Sequence, residues 1–339
     1  MWKSGCKWMF LIMGTMIGAG YASGRELWQF FGEESGLAIL LFTVIFAVCC
    51  DVIMSISYRL KTEQFYPVLI ELIGKKWTII YDILIIVYLF TTTVIMIAGG
   101  GATLETFHVP YWIGIISFSV FIVGVFVKGI KGMISINTYI IPILIIGLIS
   151  VLFTFMFNNG NSWALEWTAQ ANWSAAFTFT ALNILPLVAV LATIGREIKS
   201  RHEIHVASIG SGVLLGALSF IYNESLMQVS ELLPLYEIPL FAILKHFPYV
   251  MLIMMSILLL IAIYTTAVSG ILGLITRFQG KKKMPLWKMA IYLLILMIPF
   301  ANIGFSTLIS ILYPLYGILN LFLLTAILMY PLRNSYKNY

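Results

Sequence analysis

Charge is scarce in this sequence. Asp, Glu, Lys and Arg together make up 10% of it against 61% hydrophobic residues, which excludes a soluble globular domain, and 14% aromatics exclude a disordered chain. Cysteine is nearly absent. Cys6, Cys49 and Cys50 are odd in number and lie in or beside apolar runs, so they build no disulfide framework. The 4 histidines are His202 and His205 in one polar loop and the isolated His108 and His246, too sparse for a metal site. The apolar segments hold no paired aspartates, His/Glu cluster or Ser/His arrangement, which argues against an enzyme. No charge ring or filter-like repeat marks a channel. No long polar linker divides the chain, so a single membrane domain over 1–339 is expected.

Long hydrophobic runs are what the sequence has. Ten can be drawn in its 339 residues, at about 8–31, 36–58, 77–104, 110–128, 133–157, 172–195, 204–228, 249–277, 286–301 and 304–330, most of them long enough for the roughly 20 residues of a membrane-crossing helix. Pro299 and the polar Ala301-Asn302-Ile303-Gly304 place a turn between the last two. Residues 231–247, broken by Pro234, Glu237 and Pro239, read as a structured outer loop with a short helix. The net charge of +6 is no nucleic-acid signature once its placement is considered. With the N-terminus inside, every Lys and Arg except Arg25 and Lys245 falls in an inner loop or tail, while Glu33, Glu34, Glu105, Glu166, Glu231 and Glu237 fall outside. The expected fold is an all-α membrane protein of about ten transmembrane helices with both termini cytoplasmic. Five plus five makes an inverted repeat, 8–157 and 172–330, as in many secondary transporters.

The most distinctive stretch is Gly14 to Glu26, G-T-M-I-G-A-G-Y-A-S-G-R-E. Glycines at 14, 18, 20 and 24 followed by Arg25 and Glu26 are foreign to an ordinary spanning helix. A break at Ile17 to Gly20 would free carbonyls on one side and N–H groups on the other, and such a break survives in a bilayer only where protein or a wet cavity covers it. Two other readings remain open: Gly14/Gly18 and Gly20/Gly24 as small-xxx-small packing pairs, and the Lys3/Lys7 flank with Gly20-x-Ala22 as a cleavable signal peptide. In the sixth run, Asn183-Ile184-Leu185-Pro186 fits a second break or a simple kink.

Gly14-x-x-x-Gly18-x-Gly20 resembles the unwound first helix of transporters of the LeuT fold, in the amino acid, polyamine and organocation superfamily. The whole run, followed by Gln29-Phe30-Phe31-Gly32, is similar to the start of the YkvI-like family of bacterial membrane proteins. The resemblance implies a LeuT fold with broken helices 1 and 6 in a bacterial cytoplasmic membrane. Ala262-Ile263-Tyr264-Thr265-Thr266 matches the A-x-x-[ST]-[ST] run that serves a sodium site in sodium-coupled members. By that carry-over the carbonyls of Gly14, Ile17 and Ala262 and the hydroxyls of Thr265 and Thr266 would hold one Na+, with oxygen ligands suited to a hard cation. The Ala19 and Gly20 amides would face an anionic substrate group. Tyr21 stands where those relatives place an asparagine for a further, substrate-linked sodium, so that ion is not expected.

The expected function is secondary active transport of a small solute, an amino acid or related zwitterion, coupled to Na+ or H+. The alternative is a solute sensor or receptor subunit on the same fold that binds without transporting. The substrate residues are expected at Ile17, Gly18, Ala19, Gly20, Tyr21, Tyr88, Thr92 and Asn183, and Arg25 and Glu26 are expected to gate or couple, since ionisable groups in a span line a pathway or pair internally. Glu26 would serve proton coupling, and Glu224 is the expected partner of Arg25. Asp51 and Asp82 are expected to pair with inner-loop Arg or Lys. Partners are the solute and the lipid bilayer, with no nucleic acid and no cofactor beyond Na+.

Overall fold

The computed structural model describes residues 2–128, 133–158, 170–278 and 284–335; Lys131, Glu166, Lys281, Lys282, Lys283 and Lys337 of the charge pattern lie outside them. Among the described residues every regular element is a helix. The first hydrophobic run is three pieces, α1 (Trp2–Met16), α2 (Ala19–Ala22) and α3 (Arg25–Phe30). Then come α4 (Gly36–Leu60), α5 (Phe65–Glu105), α6 (Tyr111–Lys128), α7 (Met133–Asn158), α8 (Trp173–Leu191) and α9 (Arg201–Met227). The 231–247 region forms a 3₁₀ turn, Ser230–Leu235, and the short α10 (Pro239–Leu244); α11 (Tyr249–Phe278), α12 (Leu286–Ala301), α13 (Phe305–Leu319) and α14 (Leu321–Ser335) complete the chain.

Among the described residues six stretches are long and apolar enough to cross a membrane: Gly36–Leu60, Phe65–Glu105, Trp173–Ile194, Arg201–Met227, Tyr249–Phe278 and Phe305–Arg333. Three shorter apolar helices accompany them, Tyr111–Val127, Pro142–Asn158 and Leu286–Ala301. Their outer faces carry exposed Val120, Phe121, Ile146, Tyr292 and Ile295. Helices apolar on both the buried and the exposed side belong in lipid, and the chain is a membrane protein.

The broken first run sits at the centre. α1 packs on α9, and α9 on α4, where a Cβ on Gly212 would come within 2.8 Å of Ala47 Cβ. α4 packs in turn on α8, and α5 on α11. Ile12, Ile17, Tyr21, Ala22 and Leu27 are buried in that centre.

Two expectations are corrected. The sixth run is not broken: α8 continues through Asn183 and past Pro186. One proline removes one N–H donor, and with no glycine beside it the helix bridges the gap. The third helix starts at Phe65 rather than 77, because Val68, Leu69 and Leu72 bury one face of a short leading piece that ends at Gly74, φ 78°. The tenth run is one apolar stretch, Phe305–Arg333, that turns at Asn320 with its hydrogen bonds kept, the Asn320 N–H donating to Tyr316 O at 3.0 Å and the Leu324 N–H to Asn320 O at 2.9 Å.

Candidate functional site

α1 ends where its sequence runs out of reasons to stay helical. The Ile17 N–H still reaches the Met13 carbonyl at 2.7 Å, but the Gly18 N–H turns back to Met16 at 2.8 Å, and Gly18 is extended, φ −90°, ψ −172°. Among the described residues no backbone hydrogen bond reaches the carbonyls of Gly14, Thr15 or Ile17, and none leaves the N–H groups of Ala19, Gly20 or Tyr21. Acceptors therefore stand on one side of the break and donors on the other, the arrangement that binds opposite charges at helix ends.

A second break follows at Ser23-Gly24. Gly24 has φ 78°, a left-handed conformation that a side chain would strain. Tyr222 of α9 lies on it: a Cβ at Gly24 would come within 2.8 Å of the Tyr222 hydroxyl, which donates to the Ala22 carbonyl at 3.0 Å. Ser23 Oγ donates to Gly20 O at 2.8 Å, and the Leu240 N–H donates to Ser23 O at 2.9 Å. The end of α3 is held as firmly. Asn223 Oδ1 accepts the Gly32 N–H at 3.0 Å and its Nδ2 donates to Gly32 O at 2.9 Å. Asn172 Nδ2 is within 2.9 Å of Phe30 O, Phe31 O and Ser35 Oγ. The peptide groups freed at Ser23-Gly24 and at the end of α3 find their partners in these groups, whereas those at Ile17–Gly18 stay open.

Glu26 is 7% exposed, and its side chain folds back over Gly20, where a Cβ would collide with Oε1 and lie 2.8 Å from Cγ and Cδ. Its Oε2 has no hydrogen-bond partner. The Tyr313 hydroxyl faces the carboxyl, and Tyr88 and Tyr21 lie within its field. Tyr88 stands T-shaped on Tyr316 at 5.1 Å, and the Tyr316 hydroxyl meets Thr91 Oγ1 at 2.7 Å. Arg25 is half-buried with Nε unpartnered. The charge acting on it is that of Glu237, not the expected Glu224, because α10 and the loop before it fold onto α3. No carboxylate among the described residues comes within 4.0 Å of Arg25.

The remaining sequence-predicted residues are placed as follows. A Cβ at Gly18 would meet nothing within 4 Å, and the nearest neighbours of one at Gly20 are the atoms of the Glu26 side chain of α3. Tyr21 sends its hydroxyl into α9, to Ser219 Oγ at 2.9 Å and Leu215 O at 3.3 Å. Thr92 Oγ1 and Asn183 Nδ2 bond back to their own helices, at Tyr88 O and Phe179 O. Thr265 and Thr266 both donate to Ala262 O, at 3.1 and 2.8 Å, which occupies that carbonyl but leaves the hydroxyl lone pairs to a cation. α11 touches α2. Arg277 pairs with Asp82 at 2.7 Å as expected, whereas Asp51 takes His205 Nδ1 at 2.8 Å rather than an Arg or Lys. Tyr222, Asn223, Asn172, Tyr313 and Glu237 are members of the site that sequence reasoning missed. Asn320, fully buried with neither amide atom bonded, was missed as well.

No protein-family model matches the chain. It is 47% identical to Bacillus subtilis YyaD over 337 residues, 99% of this chain and 100% of that protein. It is 27% identical to the Bacillus subtilis membrane protein YkvI over 331 residues, 94% of each. Among solved structures it resembles MhsT in complex with L-phenylalanine, with TM-score 0.63 and 16% identity over 87% of this chain and 78% of that one. A substrate-bound, outward-open Na+-coupled sialic acid symporter gives 0.61 and 15% over 93% and 76%. The manganese transporter of Eremococcus coleocola gives 0.57 and 13% over 88% and 70%. The fold is that of LeuT-type transporters.

Proposed function

The chain belongs to the family that includes YyaD and YkvI of Bacillus subtilis, and on that premise we propose that it is a secondary active transporter of a small solute, an amino acid or close relative, working by alternating access. The observation that carries this reading is the break at Ile17–Gly18, with acceptors on one side, donors on the other and a buried carboxyl at its back. Neighbours in fold that are Na+-coupled or carry bound substrate lend support.

The helix contacts support a ten-span, five-plus-five arrangement. If α1–α3 answer α8, α4 answers α9, α5 answers α11, α6 answers α12 and α7 answers α13–α14, the packed pairs come in equivalent couples. α1 on α9 corresponds to α8 on α4, α7 on α11 to α13 on α5, and α7 on α9 to α14 on α4. Such internal symmetry gives the two related packings that alternating access needs. Both termini lie on the cytoplasmic side of a bacterial inner membrane in this reading, as the Lys/Arg bias requires.

The solute carboxylate takes the Ala19 and Gly20 N–H groups. One Na+ takes the Gly14 and Ile17 carbonyls with the Thr265 and Thr266 hydroxyls, joined by the Ala262 carbonyl when those hydroxyls turn from it. Arg25 and Glu237 close the outer path. Ile17, Gly18, Tyr88, Thr92 and Asn183 surround the solute. The test is thermal stability of the purified protein in Na+ against K+, beside Thr266→Ala. A site at tenfold its dissociation constant stabilises the native state by about 1.4 kcal/mol. A Na+ shift lost in the variant is expected; no shift in the folded wild type removes the sodium site.

A further inference from the structure

Two ionisable side chains stand at the break, and only Arg25 has an opposite charge acting on it. Arg25 has the field of Glu237, itself anchored on the Ser306 N–H at 2.6 Å. Glu26 has no such counterpart. Among the described residues it makes no ion pair, its Oε2 is without a hydrogen bond, and its company is Tyr313, Tyr88 and Tyr21. Tyrosine hydroxyls solvate a carboxylate without neutralising it, and their ring faces attract cations. A zwitterion brings no net charge, so with Glu26 ionised it would leave the site one negative charge in excess in a low-dielectric interior. A solute with one further positive charge removes it.

The geometry points to a basic amino acid as the solute, its carboxylate on the Ala19 and Gly20 N–H groups and an ammonium or guanidinium on Glu26 between Tyr88 and Tyr313. This rests on the transporter reading above and narrows it from amino acids in general to cationic ones.

The test is a thermal-shift and calorimetric titration of the full-length purified protein with lysine, ornithine, arginine, alanine, glutamate and putrescine at matched ionic strength, in wild type, Glu26→Gln and Tyr313→Phe. At least one of lysine, ornithine and arginine should bind about tenfold or more tightly than alanine, and Glu26→Gln should erase that preference. Putrescine, lacking a carboxylate, should bind more weakly than the preferred basic amino acid. Tyr313→Phe keeps the charge and should keep the preference. Alanine binding as tightly as the basic amino acids, or a preference that survives Glu26→Gln, overturns the inference and leaves the transporter reading in place. No shift with any amino acid contradicts both. Should Glu26→Gln fail to fold, the wild-type comparison of lysine, ornithine and arginine with alanine decides alone.

Discussion

The Glu26 carboxyl lies folded against the bare Cα of Gly20, so that a methyl group there would collide with it. Gly18, two residues earlier, has nothing within 4 Å of the same position and an ordinary φ. Gly20→Ala should therefore expel Glu26 from its seat and abolish solute-induced stabilisation. Gly18→Ala should leave the unfolding midpoint of the solute-free protein unchanged to within about 0.5 kcal/mol. Thermal unfolding of the two variants with and without solute checks the pair.

Gly24 and Tyr222 form a second contact of this kind, with a different mechanism. Gly24→Ala forces a side chain into φ 78° and against the Tyr222 hydroxyl, and should cost about 1–3 kcal/mol. Tyr222→Phe removes only the bond to Ala22 O and should cost about 1 kcal/mol. Unfolding midpoints should rank the two in that order.

Much of the first run was legible because its physics is local. Glycines at 14, 18 and 20 beside Arg25 and Glu26 announce a helix that cannot continue, and the observed break at Ile17–Gly18 lies inside the expected interval. What closes that break is not local. Tyr222 and Asn223 come from α9, some two hundred positions along the chain, and in the sequence they are two polar residues in a helix. Glu237 displaced Glu224 as the carboxylate near Arg25 because the fold of the outer loop, not sequence proximity to α9, decides which acid reaches α3. Pro186 was over-read for the opposite reason: its local effect is real, but packing of α8 against α4 and α13 holds the helix together around it.

Asn223 closes the end of α3 through both of its amide atoms. Asn223→Ala leaves the Gly32 N–H and C=O unpaired in a buried setting and should lower stability by about 1–2 kcal/mol. Asn223→Asp keeps an acceptor for the Gly32 N–H and, once its carboxyl is protonated, an O–H donor for the Gly32 carbonyl, so at acidic pH it should fall between wild type and alanine. Unfolding at acidic pH tests that ranking.

Glu237 is the carboxylate whose charge acts on Arg25, without an ion pair between the two in this conformation. If they close the path together, Arg25→Gln and Glu237→Gln should each speed solute release, and the double variant should be no faster than the quicker single one. A double-mutant cycle on release rates should show coupling of about 0.5–3 kcal/mol; strict additivity would separate the two residues.

Transport itself is tested most directly by accumulation. Purified protein in sealed proteoliposomes, given radiolabelled lysine under an imposed Na+ gradient and separately under a proton gradient, should concentrate the solute above its external level with at least one of them. Gly20→Ala should not. Specific, saturable binding with internal solute never exceeding equilibrium under either gradient would contradict the account and make the protein a sensor built on a transporter fold.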